Sequence, residues 1–222
     1  MDIRDLQLNV TAGSCSSRLV FNVPKSVSQG VEVELAVAPT RNFDLSVSGT
    51  FNNSELRSTL TSTDEQGEVS VVSGIEDGNR LPSVPRVQAA AAVTFRQPLG
   101  GGSQGYVTGT YHHVGSRFTQ IDDLAEGFGR VDLTGFEAED GATIGGPLTQ
   151  PTFTFDPELP AYNLVNLRFG LTRSNWDAAL YINNITDERA LLALDRERGT
   201  RARVGYLTNQ PRTFGVTLGF NY

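Results

Sequence analysis

His112 and His113 are the only histidines in the chain, and Ser116 follows close behind them. A nucleophile–base–acid set for acyl transfer would have to use one of the two. Neighbours on an extended strand point to opposite faces, so the pair cannot grip one metal ion together. Such histidines ordinarily face a wet interior or an interface. Gly100, Gly102 and Gly105 satisfy G-x-G-x-x-G. The segment after them, Tyr106 to Phe118, reads as a strand and offers no helix N-terminus to a phosphate, so the glycines read as a hairpin turn. No Lys follows in the register of a phosphate-cradling loop.

Asp122, Asp123, Glu126, Asp132, Glu137, Glu139 and Asp140 crowd one stretch, with Arg130 as their basic neighbour. They lack the ligand register of a calcium loop and read as the solvated surface of an exposed loop. Arg196, Arg198, Arg201 and Arg203 are spaced either for contacts to an anion or for a solvated face. Cys15 stands alone, so it forms no internal disulfide and has no Cys or His at metal spacing. The expectation is no catalytic set, no metal site, no cofactor and no enzyme.

The elements that carry these residues come from composition and period. The chain has 222 residues, 38% hydrophobic and 19% charged, and 18 Lys+Arg against 25 Asp+Glu leave a net charge of −7. An anionic balance argues against nucleic acid as the partner. No run approaches the roughly 18 apolar residues of a membrane helix. The opening MDIRDLQLNV lacks the basic region, apolar core and cleavage site of a secretory signal, which leaves a cytoplasmic chain or a beginning further upstream.

Period-two alternation dominates. Val31, Val33, Leu35 and Val37 oppose Glu32, Glu34 and Ala36, and Phe43, Leu45, Val47 and Phe51 oppose Asp44, Ser46, Ser48 and Thr50. Val87, Ala89, Ala91, Val93 and Phe95 repeat the pattern, as do Val165 to Leu171 and Phe214 to Tyr222. Ile3 to Val10, Tyr106 to Phe118 and Trp176 to Asn184 are weaker members. Eight strands are expected.

Pro39 to Asn42, Pro98 to Gly105 and Arg173 to Asn175 are short connections. Thr11 to Lys25, Ser54 to Pro85, Thr119 to Pro160 and Glu188 to Pro211 are long, and the two kinds alternate. Loops of a soluble sandwich have no reason to alternate so strictly. A transmembrane β-barrel does, with short turns at one rim and long loops at the other. Within the last long loop, Asp187 to Ala202 has the charge and apolar spacing of a short helix. Tyr162, Trp176 and Tyr222 lie near strand ends, where interfacial aromatics or a sandwich edge would place them.

QPRTFGVTLGFNY and YINNITDERA, together with SQGVEVELAVAPT, LPSVPRVQAAAAV, PAYNLVNLRFGL and the opening DIRDLQL, resemble in order the C-terminal part of TonB-dependent outer-membrane receptors. The resemblance implies an all-β antiparallel segment of a plugged barrel of about 22 strands. It implies a parent in the Gram-negative outer membrane that imports a scarce nutrient such as an iron chelate, a vitamin or an oligosaccharide. Residues 1–222 would be its C-terminal β-barrel piece, a natural truncation or an excised one, without plug or earlier strands.

Thr213, Gly215, Leu218 and Phe220 fit the spacing that outer-membrane proteins present to the barrel assembly machinery. Implied partners are outer-membrane lipid, that machinery, TonB only through the parent's plug, and a small nutrient ligand. The alternatives are a small closed eight-stranded barrel, a standalone β-barrel or sandwich that binds without transport, and an outer-membrane hydrolase built on His112 or His113.

Overall fold

The computed structural model describes residues 1–11, 18–132, 152–197 and 203–220. Eight strands form one antiparallel meander: β1 Asp2–Thr11, β2 Arg18–Thr40, β3 Phe43–Leu56, β6 Val87–Gly100, β7 Ser103–Val114, β10 Tyr162–Arg173, β11 Trp176–Asn183 and β14 Thr213–Phe220. Their order in the sheet is their order in the chain. β1 and β14 do not pair, so the sheet stays open and the small closed barrel is not formed.

Three two-residue turns, Arg41–Asn42, Gly101–Gly102 and Ser174–Asn175, join strands at one rim. Gly100, Gly101 and Gly102 all adopt positive φ, so the glycine cluster makes a tight hairpin. At the opposite rim each of three long connections carries its own two-stranded ribbon. These are β4 Thr61–Thr63 with β5 Val69–Val71, β8 Arg130–Asp132 with β9 Thr152–Thr154, and β12 Leu191–Glu197 with β13 Arg203–Thr208.

Two expectations need correction here. The first connection does not reach Lys25, because β2 begins at Arg18 and its first residues pair with β1. The short helix expected over Asp187–Ala202 is instead the β12–β13 hairpin. Helix propensity is a weak prior there, and the Val204, Tyr206 and Leu207 strand opposite supplies the β-forming partner.

Alternation on β1 and β2 breaks at a single point. Ile3 faces Ser26 and Leu6 faces Val23, but Asp5 and Pro24 between them leave the ladder. Asp5 adopts φ 53, and Pro24 has no N–H to donate. The faces exchange there: Ser26 and Val23 are both fully buried although they stand three positions apart, which in an unbroken strand would put them on opposite faces. Leu8, Val10 and Val23 consequently turn inward, against Leu56, Ile75, Leu81 and Ile121. This cluster at the loop rim is the main close-packed core, and fully burying each such side chain stabilises it by about 1.5–3 kcal/mol.

Candidate functional site

Directly opposed residues of antiparallel strands share a face. One row runs Phe43–Phe95–Val107–Phe169–Leu180–Val216 across six strands. The next runs Val37–Leu45–Val93–Gly109–Leu167–Ile182–Phe214. Among the described residues no second layer covers this face. Val31 is 64% exposed, Phe214 81% and Leu218 65%, far beyond what scattered surface apolar residues explain.

The opposite face is polar and hydrogen-bonded to itself. Thr94 and Thr108 hydroxyls lie 3.0 Å apart, and Asn166 Nδ2 donates to Thr110 Oγ1 at 3.0 Å. Arg168 Nε donates to Tyr106 Oη at 3.0 Å, and Arg96 pairs with Asp44. Tyr106 lies across Gly170, where a Cβ would come within 2.1 Å of its ring. Such a surface suits water, as the first suits hydrocarbon.

His112 and His113 fall on opposite faces, as expected. His112 shares the polar face with Glu34, Ser46, Ser48 and Thr110 around a shallow trough of about 420 Å³. His113 Nδ1 and Tyr111 Oη both lie within hydrogen-bond distance of Asn163 Oδ1, at 2.8 and 2.6 Å, on the apolar side. No nucleophile–base pair links Ser116 to either ring among the described contacts.

Within the acidic stretch Glu126 and Asp132 are exposed, as a solvated loop requires, but two residues depart from that reading. Asp122 and Asp123 are buried, and Asp123 Oδ2 accepts the Thr119 and Gln120 N–H groups to start a 3-10 turn over Ile121–Leu124. Glu137, Glu139 and Asp140 lie outside the described residues, as do the side chains of Arg196, Arg198, Arg201 and Arg203 and all of Cys15 and Tyr222. Among the described residues no group of three metal-ligating side chains gathers. Tyr162 faces Val114 on the polar side, under the Arg117 guanidinium at 5.6 Å, so it joins no aromatic belt. Trp176 pairs with Phe220 on the apolar face near the short-turn rim.

Above the polar face the loop ribbons build a crown. Gln7, Asn9, Gln120, Asp195, Tyr206 and Leu194 line part of a cleft of about 590 Å³ between β1, the 3-10 turn and the β12–β13 ribbon. Burial and the Asp156 charge push the Tyr206 hydroxyl up from its ordinary 10.0. Arg117 fixes the ribbon: its Nη2 donates to Leu192 O at 2.9 Å, and Leu194 N–H donates to Thr119 Oγ1 at 2.9 Å. Arg117→Ala is expected to speed amide exchange across Leu191–Leu194 by about tenfold, the loss of roughly 1.4 kcal/mol of anchoring, with the wall strands unchanged.

A clasp that composition does not announce sits where β11 ends. Asn184, at φ 52 and 5% exposed, donates from Nδ2 to Glu188 O and Gln210 O and accepts the Glu188 N–H. Asp187 Oδ1 accepts the Arg212 N–H at 2.9 Å, and that bond, aided by the Arg189 and Arg212 charges, holds its carboxyl below the usual 3.8. The start of β14 is thereby pinned. Along β14, Thr213 and Gly215 take the polar face and Leu218 and Phe220 the apolar one. Tyr181 Oη would lie 2.5 Å from a Cβ at Gly215.

The fold has counterparts among solved structures. The ferric yersiniabactin uptake receptor FyuA from Yersinia pestis aligns over 98% of this chain and 25% of its own, at TM-score 0.63 and 17% identity. The siderophore receptor PiuA from Acinetobacter baumannii covers 98% and 24% at TM-score 0.59 and 17% identity. The copper transporter OprC covers 100% and 27% at TM-score 0.58 and 12% identity. At these identities the likeness is one of fold, and the chain spans about a quarter of each receptor. No curated protein matches the chain. The family model for the TonB dependent receptor-like β-barrel matches residues 1–185, and with an open wall of the same architecture in hand, the chain belongs to that family.

Proposed function

We propose that the chain is one arc of an outer-membrane receptor barrel that imports a scarce nutrient, an iron chelate, metal, vitamin or oligosaccharide. The carrying observation is the uncovered apolar face running from β2 to β14 across seven strands of the meander, opposite a self-bonded polar face. Backbone groups on the open edges at the apolar band, β2 over Val31 to Val37 on one side and β14 on the other, cost several kcal/mol each if left unpaired in lipid. Residues 1–222 therefore act as the C-terminal barrel domain of a parent with a plug, through which TonB would act. The crown cleft belongs to the surface that meets the nutrient.

Thr213, Gly215, Leu218 and Phe220 act as the assembly signal in this reading. Support comes from β14 lying at a sheet edge with Leu218 and Phe220 65% and 68% exposed. Cell fractionation tests the whole: the protein should be recovered with outer membranes and need detergent for extraction. A water-soluble monomer with a cooperative melt would favour the standalone binding protein. Phe220→Ala with Leu218→Ala should lower the membrane-assembled fraction several-fold, while Val216→Ala on the same face should not.

A further inference from the structure

Among the described residues, three polar side chains at the crown cleft are left unanswered. Gln7, Asn9 and Asp195 are exposed, line the same space of about 590 Å³, and make no side-chain hydrogen bond or ion pair there. Tyr206 and Leu207 stand beside them 38% and 61% exposed, while Leu194 is buried. A carboxylate, two amides and a phenol ring thus share one partly apolar opening.

Their chemistry narrows the ligand. The Asp195 carboxylate only accepts hydrogen bonds and repels an anion, whereas the Gln7 and Asn9 amides each bring two donors and an acceptor. Neighbouring hydroxyls, each donor and acceptor at once, suit all three. The exposed Tyr206 ring supplies a flat apolar face with a polar edge, which the C–H side of a pyranose covers. A metal ion would need several oxygen ligands, and no group of three metal-ligating side chains gathers among the described residues. The volume lies within the roughly 300–1,000 Å³ of small-molecule sites.

We propose that the crown cleft binds an uncharged saccharide, its hydroxyls held by Asp195, Gln7 and Asn9 and one ring stacked on Tyr206. This rests on the reading of the crown as the nutrient-facing surface, and within it selects the oligosaccharide over an anionic iron chelate. Asp195 is the residue that discriminates, since its charge favours hydroxyl donors and disfavours carboxylates and phosphates.

Protein extracted from outer membranes in a sugar-free polyoxyethylene detergent would be titrated calorimetrically with maltotriose, cellotriose, xylotriose, ferric citrate and spermidine. At least one trisaccharide should bind with Kd below about 1 mM, and more tightly than either charged probe. Asp195→Asn should weaken that binding about tenfold, Tyr206→Ala about tenfold, and Tyr206→Phe less than about threefold. Asp195→Lys should lose the saccharide and gain ferric citrate. Val216→Ala, on the outer wall, should change nothing. Absence of saturable trisaccharide binding, tighter binding of ferric citrate or spermidine, an unaffected Asp195→Asn protein, or an equal loss on Val216→Ala would overturn the proposal. Recovery of the protein in the aqueous fraction would instead defeat the membrane reading itself.

Discussion

Replacing Asn184 by Ala is expected to destabilise the closing strand pair by about 3–4 kcal/mol, the largest effect of any polar substitution in the chain. Three side-chain hydrogen bonds vanish together, from Nδ2 to Glu188 O and Gln210 O and from the Glu188 N–H to Oδ1. At about 1 kcal/mol each they account for most of the loss. The rest is backbone: φ 52 is left-handed, which Asn tolerates and Ala resists. Urea unfolding of the lipid-reconstituted protein measures the sum. Asn184→Gly separates the parts, since it keeps the backbone freedom and loses only the bonds. If Asn184→Ala costs under about 1 kcal/mol, the clasp does not hold β14.

Gly74→Ala should be nearly as damaging, but in a different place. Gly74 adopts φ 76, and a Cβ there would sit 2.4 Å from Ile121 O and 3.0 Å from Ala125 N. Neither atom belongs to a side chain that could swing away. Left-handed strain of about 1–3 kcal/mol adds to an overpacking cost of similar size. The strain acts on the segment that seats Ile75 and Ile121, both essentially fully buried, against Leu56 and Val23. Limited proteolysis is expected to cut within residues 57–86 many times faster, while the β6–β7 and β10–β11 hairpins keep their protection. Uniform loss of protection across all strands would mean that the crown and the wall unfold as one.

The wall was legible in the sequence because its two solvents are so different. Val31 to Val37 and Phe43 to Phe51 alternate without error, and the structure keeps every one of those residues on its expected face. The loop rim was not legible, because packing there follows no period. Asp187–Ala202 carries the spacing of a helix, yet Leu194 is buried in a ribbon held by Arg117 and Thr119 through contacts that span 75 positions of the chain. Asp122 and Asp123 read as solvated for the same reason: nothing local shows that the Thr119 and Gln120 N–H groups need an acceptor. In YINNITDERA the resemblance flagged the right residues, but only the left-handed turn at Asn184 shows why an amide is wanted there.

The crossing at Asp5 and Pro24 works as a depth gauge. Toward the short turns the ribbon obeys the rule of a wall between oil and water; past the crossing it obeys that of an ordinary aqueous core. A phase slip of one residue in an otherwise regular alternation, with a proline on one strand and a small acid opposite, would thus mark where the two-faced wall gives way to the packed crown, roughly 20 Å along β2 beyond the Val31 row. Sliding β1 along β2 by one step would lose that mark and bring Leu8 and Val10 into the open, so this edge strand has one depth at which it can settle.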